Sequence, residues 1–319
     1  MNREEIQSIV DSNFEIPSGR DLALVIGDLL PLLGSIDSHL REGTLEILGH
    51  WGEAGRYSDA ELRAIGHRTA DNLAVGLGES GTDTVFLRSF SALILEMVVQ
   101  TDDVRGLGIS GDRTPFLAHD QILGWYETAL AGFAGEEDFR GFVDGRGWAH
   151  ALAHKADLLG TLARGQHLDA SRLEKILTAM AEKLTRPAAA VLTFEEDHRL
   201  VRAVVHVLLR NEVQAEFLRS WVDQLGHMPD GKTWGTVLGL HECDQAGNRA
   251  RVNVRNFLRS LYFALLWGMR GPGDAAEADN PYHAYYDRTI EARGTLLADI
   301  EQALRGMNRP MYKSEGLAA

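Results

Sequence analysis

The stretch DTVFLRSFSALILEMVVQT, Asp83–Thr101, decides the fold. It reads as a strong helix, very apolar from Phe86 to Val99, with no proline or glycine to interrupt it. Its tetrapeptide FLRS, Phe86–Ser89, returns at Phe217–Ser220 and at Phe257–Ser260. The first copy continues as FLRSFSALIL and the third as FLRSLYFALL, so the likeness extends past four residues. The last two copies are 40 residues apart, within the range of a HEAT or armadillo repeat, although the first lies 131 residues before the second.

Outward from this helix the same period dominates. Towards the N-terminus, helices are expected over Glu4–Asn13, Arg20–Leu33 and Ile36–Trp51, and Ser58 with Glu61 reads as a capping box opening a helix through Leu77. Towards the C-terminus, a Gly-rich break at Gly106–Thr114 precedes Pro115, read as the first residue of a helix to about Phe133. After the connector Gly135–Gly147, helices follow at Trp148–Ala163, Asp169–Leu184, Glu195–Arg210 and Asn211–Leu225. A polar loop, Gly226–Gly247, then leads to helices at Val252–Met269 and Tyr285–Leu304. Strand signals are weak, and the glycines at 34, 78, 165 and 226 read as left-handed helix ends. The expected fold is all-α: antiparallel helical hairpins in a HEAT/armadillo-like α/α array, a single domain over 1–306 with a frayed tail at 307–319. An irregular helical bundle is the alternative.

Composition narrows the function. Of 319 residues, 45% are hydrophobic and 24% charged, which suits a globular protein with a sizeable core. The formal charge is −14, a field that repels phosphate backbones and anionic lipid, so neither nucleic acid nor membrane is expected as a partner. The single cysteine, Cys243, excludes an internal disulfide and any Cys-rich zinc module. The N-terminus MNREEIQSIVD lacks the basic start and apolar run of a secretory signal, and a cytoplasmic location is expected. Phosphate-loop, dinucleotide and nucleophile-elbow signatures are absent.

The densest chemical signal is RGWAHALAHKAD, Arg146–Asp157. On a helix through this segment His150, His154 and Asp157 fall at i, i+4 and i+7, along one face. Trp148, Leu152, Ala156 and Leu159 form a second, apolar stripe. Two imidazoles one turn apart can ligate a divalent metal, and Asp157 could orient them or supply oxygen. The glutamate that acts as general base in the zincin helix is Ala151 here, so further metal ligands would come from elsewhere, with Glu195, Glu196, Asp197 and His198 as candidates. Without a metal, the same three residues offer acid–base chemistry. The plain structural alternative is that both imidazoles hydrogen-bond to neighbouring helices.

Weaker candidates border this helix. Glu136, Glu137, Asp138, Arg140, Asp144 and Arg146 form a charged connector, ordinarily solvated, of which Arg140 and Arg146 with Trp148 would rim a groove. Glu196 and Arg199 read as capping and ion-pair residues or as further rim residues. Arg88, Arg219 and Arg259 of the FLRS copies suit ion pairs between repeats. The aromatic run PYHAYYDR, Pro281–Arg288, suits packing of the last helix, or else a lid. Acids beside Cys243 keep its thiol unreactive.

The segments FLRSFSALIL, EEDFRGFVDGRGWAHALAHKADLL, EEDHRLVRA and RNFLRSLYFALL occur here in that order. The series resembles the bacterial family of unknown function numbered 2785, over roughly Leu29–Leu266. The resemblance implies an all-helical, HEAT-like intracellular protein and carries no established activity. Arg140, Gly141, Gly147, Trp148, His150, His154 and Asp157 match the family's signature. Lys155 stands where the family tends to have glycine, which would narrow or recharge a pocket beside the histidines. Together these readings lead to a groove that binds a small polar ligand or a metal, with acid–base or metal-assisted hydrolysis as its chemistry. The rival is a non-enzymatic interaction scaffold that binds a protein partner.

Overall fold

Side-chain caps set where the helices begin. Asn2 and Glu5 form a reciprocal capping box for α1 (Arg3–Asp11), and Asp21 accepts the first amides of α2 (Leu22–Leu29). Pro31 then tightens the chain into a 3-10 turn, Leu30–Gly34, so the expected single helix over Arg20–Leu33 is split. Asp37 caps α3 (Ser38–Glu53), and the Ser58–Glu61 box opens α4 (Asp59–Asn72). Then follow α5 (Thr84–Gly106) and α6 (His119–Ala134). A small hairpin of β1 (Phe142–Val143) and β2 (Gly147–Trp148) precedes α7 (Ala151–Arg164). The remaining elements are α8 (Ala170–Thr185), α9 (Glu196–Leu208), α10 (Ala215–Gly226), a 3-10 turn at Trp234–Val237, α11 (Gln245–Trp267), α12 (His283–Tyr286) and α13 (Arg293–Met307).

The computed structural model describes residues 1–106, 114–239, 241–270 and 283–307. The expected tail lies outside these residues except for Met307, as does most of the Gly-rich break before Pro115. The fold is predominantly all-α.

Three local expectations are corrected. Helix α6 starts at His119 rather than Pro115, because the Asp102 carboxylate accepts the amides of Phe116 and Leu117 at 2.5 and 2.8 Å and holds that segment as a loop. Helix α7 starts at Ala151 rather than Trp148. Of the four glycines read as left-handed ends, Gly78 alone has that conformation, with φ +88°. The FLRS copies fall in the first turns of α5 and α10 but in the second half of α11, so the tetrapeptide does not mark equivalent places.

Contacts divide the chain into two units, Met1–His167 and Leu168–Ala319. In the first, α5 packs against α3, α4, α7 and the 3-10 turn, and α7 also packs on α6. Val85, Phe86, Phe90, Ile94, Leu95 and Val98 of α5 are buried, each large side chain worth about 1.5–3 kcal/mol in transfer from water. Helix α5 is also long and apolar enough to cross a membrane, over Thr84–Asp103, and 61% of that window is buried within the protein. In the second unit α11 takes the central place against α8, α9 and α13, through Val254, Phe257, Leu258, Leu261 and Leu265.

One ionic cluster lies inside the first unit. Arg88 of α5 meets Glu136, just past α6, through Nε–Oε2 at 2.7 Å and Nη2–Oε1 at 2.9 Å. The ammonium of Lys155 on α7 joins Oε2 at 2.7 Å and donates to the Gly132 carbonyl at 2.9 Å. All three side chains are within 1% of full burial. The other Arg88 donors reach Thr84 Oγ1 and the carbonyls of Val75 and Glu79. Lys155 is therefore a structural ion inside the unit. The expectation that it recharges a pocket beside the histidines is corrected, because Glu136 draws its ammonium towards α6. Burial alone would raise the Glu136 carboxyl, but bonds from Arg88 and Lys155 outweigh it and hold the group at about 2, below the ordinary 4.5. Burial likewise pulls the Lys155 ammonium below its usual value, against the upward pull of Glu136.

Two cations on one buried carboxylate make the three positions unequal. Glu136→Gln leaves both cations unpaired and should cost about 3–5 kcal/mol of unfolding free energy in urea titrations. Lys155→Met keeps the Arg88–Glu136 fork and should cost much less. Because the folded carboxyl is depressed, its contribution is full above pH 4.5 and fades as pH falls through about 2. The gap between the native chain and Glu136→Gln should close over that same interval.

Candidate functional site

The chain enters α7 through the hairpin. Asp144, Gly145 and Arg146 make its turn, with Gly145 left-handed at φ +72°. Gly147 is also left-handed, at φ +78°, and a side chain there would meet Arg41 Nη2 and Ser38 Cβ at 3.0 Å. The approach matters because Arg41 of α3 clamps the hairpin. Its fully buried guanidinium donates to the carbonyls of Arg146 (2.5 Å), Trp148 (3.3 Å) and Ser35 (2.6 Å). It also lies over the rings of Phe86 and Phe90, at 4.2 and 4.8 Å from their centroids. The backbone pairing continues past the hairpin, with Ala149 N–H to Gly141 O at 2.8 Å and His150 N–H to Arg140 O at 3.0 Å.

These contacts set the histidines. His150 is the N-terminal cap of α7 and not a helical residue, with a left-handed φ of 50°, uncommon outside glycine. Its half-buried ring stacks on Trp148 with centroids 5.1 Å apart. Trp148 in turn meets Phe142 edge-on across the hairpin. The expected apolar stripe starting at Trp148 is thus corrected: this indole is 39% exposed, because it belongs to a strand and not to the helix. One turn into α7, His154 is buried, 5.4 Å from the His150 ring and edge-on to Phe90. Its Nδ1 lies 2.8 Å from Ser89 Oγ, and the same hydroxyl donates to the Ala149 carbonyl. Asp157 is buried one turn beyond. All of α7, Ala151–Arg164, is buried around its circumference.

The rim residues are already engaged. Arg140 grips Asp138 through Nε and Nη2 at 2.6–3.0 Å and donates to the Thr82 carbonyl at 2.6 Å. Arg146 pairs with Asp83. In the second unit Glu196 is buried and accepts the amide of Phe194 at 2.8 Å, while Arg199 is half-buried on the same helix. Glu195 caps α9 with φ 64°, the same left-handed entry that His150 makes. Asp197 accepts Ser260 Oγ at 2.6 Å, and Glu195 and His198 are exposed. Among the described residues no group of three or more His, Cys, Asp or Glu side chains is placed to hold a metal ion. Of the aromatic run, Tyr285 and Tyr286 pack on His206 of α9, with Tyr286 Oη 2.6 Å from His206 Nε2, while Pro281 and Tyr282 lie outside the described residues.

Sequence reasoning missed Arg41 and Ser89. Nothing in the sequence marks Arg41, which acts over 105 residues of separation. Ser89 ends the first FLRS copy, and the hairpin has a local signal in Asp144-Gly145 between Val143 and Gly147. Ser89 ties Ala149 and His154 to α5, so Ser89→Ala should cost about 1–3 kcal/mol in chemical denaturation. A loss near zero would mean that the Ala149 carbonyl and the His154 ring find other partners.

The candidate residues from Asp83 to Ser260 lie within 73–263, the span that matches the family model described as protein of unknown function, DUF2785, and the aromatic run Pro281–Arg288 lies beyond it. No curated protein and no solved structure matches the chain. The match covers more than half of the sequence, and the chain belongs to the DUF2785 family.

Proposed function

We propose that this chain is a cytoplasmic binding protein whose ligand is a small polar molecule received at Trp148 and His150. The observation that carries the reading is the backbone of His150. A non-glycine residue in the left-handed region costs free energy, and such residues concentrate where side-chain placement serves a site. Here the cost places an accessible imidazole on an exposed indole, directly above a buried imidazole fixed by Ser89. An aromatic face and a ring that can donate or accept suit a small polar ligand, with Arg140 and Arg146 at the margin.

If the site is catalytic, His150 is the acid–base group, with His154 behind it. Asp157 follows His154 by three residues, so on the helix it sits closer to that ring than to His150. A metal on the same residues would need ligands beyond His150, His154 and Asp157. The exposed thiol of Cys243 suits a reducing compartment, and the charge of −14 disfavours nucleic acid and membrane surfaces.

The test is a thermal-unfolding screen against small carboxylates, phosphates and sugars, run on the native chain and on His150→Ala. A ligand at 100 times its dissociation constant should stabilise the native chain by about 2.7 kcal/mol and leave a folded His150→Ala unshifted. Equal shifts in both proteins would sink the reading. Elemental analysis of untagged protein decides the metal branch.

A second reading, an interaction scaffold, draws on the end of α11. Trp267 is 76% exposed and stacked on exposed Phe263, with Leu266 also exposed. A basic protein partner would suit the acidic chain, and Trp267→Ala would weaken its capture while leaving any small-molecule shift intact.

A further inference from the structure

We propose that His119 and His167 form a two-histidine site for a divalent transition metal, separate from the histidines at α7. The two residues are 48 positions apart in the sequence and meet in the first unit. His119 is the first residue of α6, and His167 follows the end of α7. Their Nδ1 atoms face each other at 3.3 Å, with ring centroids 5.5 Å apart.

The separation is what makes the pair a ligand set. Two imidazole nitrogens bound at about 2.0–2.1 Å to a tetrahedral ion lie about 3.3–3.4 Å apart. The observed pair therefore needs little rearrangement to accept a metal between its nitrogens. His119 is exposed and His167 half-buried, so the site opens to solvent, and water or a small anion can complete the coordination.

The surroundings are acidic. Asp102 and Asp103, near the end of α5, act electrostatically on the His167 ring. Asp103 is neutralised by Arg164 at 2.7 Å, whereas the Asp102 carboxylate takes backbone amides of Phe116 and Leu117. A carboxylate that acts on the ring favours a cation at the imidazoles. Nitrogen donors suit copper, nickel and zinc, with copper(II) bound most tightly among them.

The alternative is a plain N–H···N hydrogen bond between two neutral rings, and a titration separates the two. Zinc chloride, then copper(II), would be titrated calorimetrically into the full untagged chain and into His119→Ala, His167→Ala and His150→Ala. The tightest equivalent should be present in the native chain and in His150→Ala, and absent from both other variants. Far-UV circular dichroism would confirm that each variant is folded. Copper(II) bound to the native chain should also show nitrogen coupling from two imidazoles in its paramagnetic resonance spectrum. Absence of a tight equivalent, or its persistence in either His119→Ala or His167→Ala, would overturn the proposal. Loss in His150→Ala alone would assign the metal to the α7 histidines instead.

Discussion

A single buried carboxylate, Glu136, ties three separate segments of the first unit together. Arg88 brings α5, Lys155 brings α7, and Glu136 itself stands at the exit of α6. Buried charges are tolerated only when paired and hydrogen-bonded, so the cluster permits few arrangements of those segments. It is a constraint on geometry more than a source of net stability, since the desolvation of three ions offsets much of their attraction. The connector beyond Glu136 is held by the same residue, whose Oε1 accepts the Asp138 amide at 2.9 Å, and Asp138 in turn holds Arg140. From there the chain passes into the hairpin and so to His150. The position of the candidate site therefore follows from an ion cluster that never reaches its surface.

A second buried cation works differently. Arg41 has carbonyls and aromatic faces around it, and its nearest carboxylate, Glu42, is 3.6 Å away. It fastens the hairpin by the backbone, which leaves the side chains of Phe142 and Trp148 to face outward. Glycine at 147 is required by both the left-handed backbone and the closeness of the guanidinium. A rigid clamp below and exposed rings above is an arrangement suited to presenting a site on a short, otherwise weak β-ribbon.

The all-helical class was legible because period and caps are local properties. Ser58 with Glu61 needs only three residues to be recognised, and the apolar run of α5 needs only its own composition. The boundaries that went astray were set by distant partners. Pro115 could have opened α6, but Asp102 captured the amides after it. Trp148 could have opened α7, but pairing with Phe142 made it a strand. The rings of His150 and His154 do lie near each other, but His150 is a left-handed cap and not a helical residue, and their difference in burial depends on Ser89 and Phe90, which lie some sixty residues earlier. His119 and His167 were invisible for the same reason, since nothing local links positions in α6 and beyond α7. Likewise the charged connector looked like a solvated loop, because a run of Glu and Asp gives no sign of which carboxylate will be buried.

Ser89 also settles a question of chemical form. A hydroxyl has one proton, and Ser89 gives its own to the Ala149 carbonyl. Towards His154 its oxygen can then serve only as an acceptor, so Nδ1 must carry hydrogen. In the neutral ring this selects one tautomer, with the lone pair confined to Nε2. The ring of His154 is thereby oriented from one edge, with its Nδ1 hydrogen directed at α5 and its Nε2 turned away from it.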